Sequence, residues 1–356
     1  MSFNFKTIEI MTKLITCSRE EVMKMVHVRD GEEKLGSRVL HIESPESWAE
    51  ELKNQKSRYV IFGITEDIGV RANFGRAGTA SAWENFLKIF VNIQHNHFCK
   101  GDWITLLGEL DLSHEMKSAE NLNPYFVEER EELSRMVSRI DIGVHEITET
   151  IIRLGKIPII IGGGHNNAYG NLKGLSIAKG ESVDAVNLDA HADFRPMEGR
   201  HSGNGFSYAM KEGFLNHYFI FGLHENYLST GIIGEIDKFP GRVRFNTYEE
   251  IAVRQEKSFK DELQTAGNHL GDKPFGLEMD LDAIPLIASS AITPSGFSAE
   301  QARRFVHHFA SKPNVAYLHL CEGAPVLSSD KNPNLVGKLI AYLVTDFIKS
   351  NRENEK

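Results

Sequence analysis

Three stretches of this chain deliver aspartate and histidine side chains at the end of an apolar run. Val186-Asn187-Leu188 leads straight into Asp189-Ala190-His191-Ala192-Asp193. Alternation puts Asp189, His191 and Asp193 on one side of an extended backbone. Ile157 to Gly164 ends in three glycines followed by His165, and Phe275 to Leu281 ends in Glu278-Met279-Asp280-Leu281-Asp282. The candidate ligands are therefore His165, Asp189, His191, Asp193, Asp280 and Asp282, two imidazoles and four carboxylates. Six are too many for one four-coordinate zinc, and neutral oxygens are too few for a calcium cage. The set suits two divalent ions sharing bridging carboxylates, and carboxylate oxygen with some imidazole favours Mn²⁺ over softer metals. Two such ions ~3.5–4 Å apart hold a water between them and lower its pKa toward neutrality, which makes hydroxide available as a nucleophile at pH 7.

These side chains need elements to carry them. Strand patterns run from Arg58 to Ile64, Trp103 to Leu107, Ile157 to Gly162, Val183 to Asp189, Tyr218 to Leu223, Arg242 to Asn246, Phe275 to Asp280 and Val315 to Cys321. Helical patterns lie between several of them; Leu133, Val137, Ile140, Val144, Ile147 and Ile151 recur at helical spacing until Gly155 and Pro158 stop the run. Alternating strand and helix predicts a three-layer α/β/α fold with a doubly wound, mainly parallel sheet of eight strands. Ligands in such a sheet bind in the crevice at the carboxyl ends of the strands, where the three motifs end.

At 356 residues, with 41% hydrophobic and 25% charged residues, the composition is that of an ordinary globular protein. We read residues 1–356 as one domain, with 1–55 as an extension packed on it. Within that extension Val39-Leu40-His41-Ile42 is strand-like, and Trp48 and Leu52 fit a short amphipathic helix. Leu335 to Ile348 reads as a closing helix and Lys349 to Lys356 as a solvated tail. A net charge of −9 argues against non-specific binding to nucleic acid or an anionic membrane. No run reaches the ~20 apolar residues of a membrane span. Three cysteines, at 17, 99 and 321, make no disulfide framework, so a reducing, cytoplasmic setting is expected.

The glycine run Gly162-Gly163-Gly164-His165, the Asp189 to Asp193 segment and Asp280-Leu281-Asp282 together resemble the metal motifs of the ureohydrolase superfamily, which includes arginase, agmatinase and formimidoylglutamase. The likeness extends from about Tyr59 to Ile348. It implies an arginase-like fold and two Mn²⁺ per chain: one held by His165 and Asp193, the other by His191 and Asp282, with Asp189 and Asp280 bridging. It also implies that His201 shuttles protons and that Glu322 receives the amidine or guanidine of a small-molecule substrate. The loop His201 to Phe206, with Ser202 and Asn204, resembles the segment that closes over the substrate.

Two features are similar to formimidoylglutamases in particular. Arg195 stands two positions after Asp193, where a guanidinium can grip a substrate carboxylate in a two-point bond. The segment Asp67 to Gly78 presents Arg71, Asn73 and Arg76 on a glycine-rich loop, suited either to an anionic ligand or to ion pairs of its own with Glu66 or Asp67. Asn166 and Asn167 depart from the usual pattern, as does Glu278, which lies on the strand face of Asp280 and either perturbs the metals or pairs with an arginine. The resemblance implies hydrolysis of N-formimidoyl-L-glutamate to L-glutamate and formamide, a step of histidine degradation, by a trimer or hexamer. The alternatives are a guanidino hydrolase that releases urea and a non-catalytic metal-binding protein of the same fold.

Overall fold

In the run Ile157-Pro158-Ile159-Ile160-Ile161 both faces are apolar, which requires cover on both sides, as in the middle of a parallel sheet. The computed structural model, which describes residues 13–328, 332 and 334–352, puts it there. Ten strands form one sheet: β1 (Leu14–Thr16), β2 (Leu40–His41), β3 (Tyr59–Gly63), β4 (Ile104–Leu110), β5 (Ile157–Ile161), β6 (Val183–Leu188), β7 (Leu215–Leu223), β8 (Val243–Thr247), β9 (Phe275–Asp280) and β10 (Val315–Cys321). Their order is β1-β4-β3-β5-β10-β9-β6-β7-β8, with β2 also on β4. Only β1 runs antiparallel to its neighbour. The three-layer, mainly parallel arrangement is as expected, but the strand count is ten rather than eight. β2 falls within the strand-like stretch Val39 to Ile42, whereas β1, with three residues, is too short for a period of two to register; both pair with β4.

Successive strand residues feed opposite cores. Tyr59, Ile61, Ile159, Ile161, Val186 and Leu188 pack with Phe86, Phe90, Phe305, Phe309 and Phe347 on one face. Val60, Phe62, Ile160, Val183 and Ala185 pack on the other face with Val137, Ile140, Val144, Ile147 and Ile151 of the Val127–Arg153 helix. That helix lies tightly against the Asn167–Lys179 helix; a Cβ on Gly170 would come within 2.7 Å of Val144 Cγ1. The second helix begins directly after His165, so this contact also holds the ligand's position.

The carboxyl end differs from expectation. The closing helix runs on from Leu335 through Arg352, and Ser350 and Asn351 are buried instead of lying in a solvated tail. Asn351 Oδ1 accepts from Arg58 Nη2 (2.9 Å) and Tyr59 Oη (3.1 Å), and its amide donates to Ala310 O (3.1 Å). Arg58 and Tyr59 are almost 300 residues away in sequence and Ala310 is 41 away, so a polar local composition gave no sign of them. Residues 353–356 lie outside the described residues, as do 1–12. Among the described residues no helix is long and apolar enough to cross a membrane.

Candidate metal centre

The strands β5, β10, β9 and β6 are consecutive in the sheet, and their carboxyl ends carry His165, Glu322, Asp280 and Asp189 respectively. The turn after β5 depends on glycine: Gly162 and Gly163 have φ of 91° and 71°. A Cβ on Gly163 would sit 2.4 Å from Asn167 Nδ2. Asp193 and Glu322 also lie in the left-handed region, at φ 45° and 61°. For glutamate that conformation is unfavourable, and such strain collects at functional sites where the surroundings over-determine it.

His165 Nδ1 faces three carboxylates, Asp193 Oδ2 at 2.8 Å, Asp189 Oδ2 at 3.3 Å and Asp280 Oδ2 at 3.5 Å. His191 Nδ1 lies 3.1 Å from Asp282 Oδ2 and 3.7 Å from Asp189 Oδ1. The six candidate ligands thus form two groups, His165 with Asp189, Asp193 and Asp280, and His191 with Asp189 and Asp282. Asp189 belongs to both; Asp280, expected to bridge as well, is grouped with the first alone. Asn187 Nδ2 and the His191 amide hold the two Asp189 oxygens at 2.8 and 2.6 Å. The Asp282 amide holds Asp280 Oδ1 at 2.8 Å.

The donor set fits divalent metal. Neither ring nitrogen of His165 has a hydrogen-bond partner despite full burial, and neither has Asp282 Oδ1. Burial, together with the charge of Asp189, pushes Asp193 up to about 6. Burial and the charges of Asp282 and Asp189 raise Asp280 well above the usual carboxylate range. Burial also opposes ionisation of Asp189, but the close imidazoles of His165 and His191 outweigh it and hold that carboxyl low. Two carboxylates ~4 Å apart repel by about 4 kcal/mol at an effective dielectric constant near 20. A cation among them reverses the sign.

Above this floor opens a cleft of about 440 Å³, walled in part by Asn73, Arg195, Ser202, Tyr227 and Ser290. His191 stacks on Tyr227, with ring centroids 4.6 Å apart. Glu322 closes the inner end; its Oε1 accepts from the His165 amide (2.9 Å) and its Oε2 from Ser290 Oγ (2.5 Å). Burial pushes its carboxyl up to about 8, against the lowering effect of the Ser290 and His165 hydrogen bonds. Arg195 is half-exposed, with Nε and Nη2 at 2.8 and 2.7 Å from Glu198 Oε1. Asn73 Nδ2 donates to Ser202 Oγ at 3.2 Å.

Three other expected contacts are not brought to the cleft. Arg71 Nη2 donates to the carbonyls of Ala119 and Leu122, at 2.7 Å each. Arg76 donates to Ser290 O and Ser289 O on the rim. Asn204 is buried between Arg200 Nη1, the His201 amide and Gly199 O. Arg71 and Arg76 were chosen as charges on a glycine-rich loop and Asn204 for the likeness of its loop to one that closes over substrate, but nearby backbone groups, and for Asn204 also Arg200, claimed the side chains first. Sequence reasoning missed Ser290 and Glu198, and Arg200, whose buried guanidinium grips Asp141 at 2.8 and 3.1 Å and anchors the loop. It also left Asn166 and Asn167 unexplained. Both donate to Glu66 Oε1, at 3.2 and 2.8 Å, and Gly164 N joins them at 2.9 Å. The asparagines and Glu66 together lock the loop after β3 to the His165 turn.

His201 opens onto a neighbouring hollow of about 560 Å³ that shares Arg195 and Asn73 with the cleft. Its Nδ1 accepts from Gly203 N (3.1 Å) and its Nε2 faces Glu198 Oε1 (3.3 Å). This is a neutral imidazole protonated at Nε2. Burial and the charge of Arg195 depress it to about 4, below the ~6.5 expected of an unperturbed histidine. The unfolded chain therefore takes up this proton first, and the stability that neutral His201 contributes is present above pH ~6.5 and lost toward pH 4. We expect the wild-type chain to lose stability relative to His201→Gln over that window in denaturant melts. Parallel curves for the two proteins would contradict it.

The Arginase family profile matches residues 57–345. The formimidoylglutamase of Streptococcus pyogenes serotype M3 is 25% identical over 308 residues, 83% of this chain and 86% of that protein. The solved formimidoylglutamase of Bacillus subtilis superposes with a TM-score of 0.70 at 15% identity, covering 93% and 95% of the two chains. Formiminoglutamase of Trypanosoma cruzi, determined with Mn²⁺, gives 0.65 at 19% identity over 90% and 98%. With the profile spanning most of the chain and the metal motifs gathered at one crevice, the chain belongs to the arginase family of metal-dependent hydrolases.

Proposed function

We propose that this protein is a binuclear manganese hydrolase of the formimidoylglutamase type, converting N-formimidoyl-L-glutamate and water to L-glutamate and formamide. The observation that carries the reading is the pairing, in one cleft, of a carboxylate-rich metal floor with Arg195 on the wall. The relatives named formimidoylglutamase support the substrate. His165, Asp193 and Asp280 would hold one ion and His191 and Asp282 the other, with Asp189 shared between them. When bound, the ions supply positive charge that polarises the amidine carbon and makes water nucleophilic near neutral pH.

This chain's own residues do the rest. Glu322, ionised against the cationic amidine, holds the planar group over the floor, and Ser290 holds Glu322. Asp193, whose second role is to orient water, lies between His165 and the cleft. Arg195 takes a substrate carboxylate, which replaces Glu198 as its partner, while Asn73 and Ser202 line the same wall. His201 returns protons between the cleft and solvent through Glu198, which is half-exposed. The bond from the amidine carbon to the glutamate nitrogen breaks; the water oxygen becomes the carbonyl oxygen of formamide, and the amine leaves with a proton.

The test is a panel assay of the Mn²⁺-loaded chain with formimidoylglutamate, arginine, agmatine and guanidino acids, scoring formamide and urea. Formamide from the first is the expected result; urea from arginine or agmatine assigns the site to a guanidino hydrolase instead. Arg195→Ala should raise KM for formimidoylglutamate by roughly 5–30-fold with metal content unchanged, a figure reduced for the half-exposed position of the guanidinium. Arg195→Lys should recover only part of it, since a point charge lacks the two-point fork. An unchanged KM in Arg195→Ala would remove this residue from substrate recognition.

A further inference from the structure

Behind His165, on the side away from Asp189 and Asp193, lies a buried polar cluster that the proposed chemistry does not use. Glu278 on β9 and His319 on β10 are register partners in the parallel ladder, and both are fully buried. His319 Nδ1 is 2.6 Å from Glu278 Oε2, and Tyr317 Oη donates to Glu278 Oε1 at 2.5 Å. His319 Nε2 reaches Gly162 O at 3.4 Å, so both ring nitrogens of His319 face oxygen atoms. Room for this is built in: a Cβ on Gly276 would sit 2.2 Å from Tyr317 Oη.

Glu278 Oε2 also lies 3.6 Å from His165 Nε2, a gap that a small rotation of the imidazole closes to hydrogen-bond range. His165 Nδ1 faces the acids of the first ligand group. An imidazole that gives its Nδ1 lone pair to a cation carries its proton on Nε2, and that proton needs an acceptor in this dry interior. The other group near that side is the Cys321 thiol. Its S–H points to Met279 O at 3.5 Å, and a neutral sulfur is a weak acceptor beside a carboxylate.

The geometry points to Glu278 as the positioning residue of the first metal group: clamped by Tyr317 and His319, its carboxylate accepts the Nε2–H of His165 and fixes Nδ1 as the ligand atom. This rests on the two-metal reading above and adds a determinant of metal affinity outside the six ligands. Partners of this kind typically change metal affinity by ~10–100-fold when removed. They turn the ring and raise its basicity; they do not touch substrate.

The test is calorimetric Mn²⁺ titration of the full-length chain, with electron paramagnetic resonance to read coupling between the ions. Glu278→Gln should weaken one of the two sites by ~10–100-fold and leave the other nearly unchanged, with loss of the coupled spectrum at sub-saturating metal. Because Glu278→Gln alone takes the carboxylate partner from the buried His319 Nδ1, the double variant Glu278→Gln/His319→Gln is the decisive one: it replaces both members of the pair, and the selective affinity loss should persist. Cys321→Ser should bind as wild type does. The assignment is overturned if the double variant binds both ions at wild-type affinity, if both sites weaken alike in step with a fall in the metal-free melting temperature, or if Cys321→Ser reproduces the selective loss. A wild-type chain that binds one ion counts against the two-metal reading instead, and Glu278 is then judged by the same affinity change at that site. A wild-type chain that binds none removes both.

Discussion

Asp189→Asn is expected to strip the protein of tightly held Mn²⁺ and to lower turnover by at least about a thousandfold. Asp189 is the one side chain common to both candidate ligand groups. Removing its charge takes from each divalent ion about 8 kcal/mol of attraction at ~4 Å and an effective dielectric constant near 20, and even half of that is roughly a thousandfold in affinity. The metal-free fold should lose some stability as well, because the imidazoles of His165 and His191 hold the Asp189 carboxyl low in the fold, and asparagine that keeps its oxygen for the His191 amide turns its own amide toward the Asn187 donor. Added Mn²⁺ should stabilise only the wild type, by about 2.7 kcal/mol at a hundred times Kd. Metal analysis after dialysis together with thermal melts checks this. Two ions retained at wild-type affinity would falsify the shared position of Asp189.

Glu322→Gln should reduce kcat/KM by about 10²–10³-fold while both ions stay bound, the size of effect seen when one preorganised charge partner of a transition state is removed. The carboxylate does not bind metal in this reading; it meets the cationic amidine, and Ser290 with the His165 amide fixes its plane. The same substitution has a signature in stability. Glu322 sits at about 8 in the fold and near 4.3 when unfolded, so the folded chain holds this proton the more tightly. Its contribution is complete below pH ~4 and is lost as pH rises toward 8. The metal-free Glu322→Gln protein should thus gain on wild type as pH rises from 4 to 8. Denaturant melts at the two ends of that window test the sign. Loss of metal along with activity would instead make Glu322 part of the metal-holding set.

The chemistry was legible because it is written locally. Apolar strand, glycine turn, then Asp and His at alternate places is a pattern of a few residues, and each of the six proposed ligands was found in this way. Arg195 and Glu322 came from position relative to those motifs. Their partners did not: Ser290, Glu198, Glu66 and the Glu278–His319 pair are joined across 32, 3, 100 and 41 residues respectively. Even the pair three residues apart was missed, because a half-exposed Glu198 looks like any solvated charge until the loop folds back. Arg71 and Asn204 failed for the opposite reason. Their types suit ligand binding, but carbonyl groups invisible in sequence took their hydrogen bonds.

By itself, then, the order of amino acids determined which strands exist at the centre, which faces they bury and which side chains stand at their carboxyl ends, since periodicity and turn chemistry are local. Tertiary structure alone decided that β5, β10, β9 and β6 are neighbours. It also added β1 at an edge that three residues of weak pattern cannot announce. Strand order is a matter of crossovers and of covering two faces of one sheet, and only when it is settled do a histidine at 165 and an aspartate at 280 share a site. The same step aims a carboxylate at 278 toward the back of that histidine, where burial leaves it no partner but the groups that tertiary packing supplies.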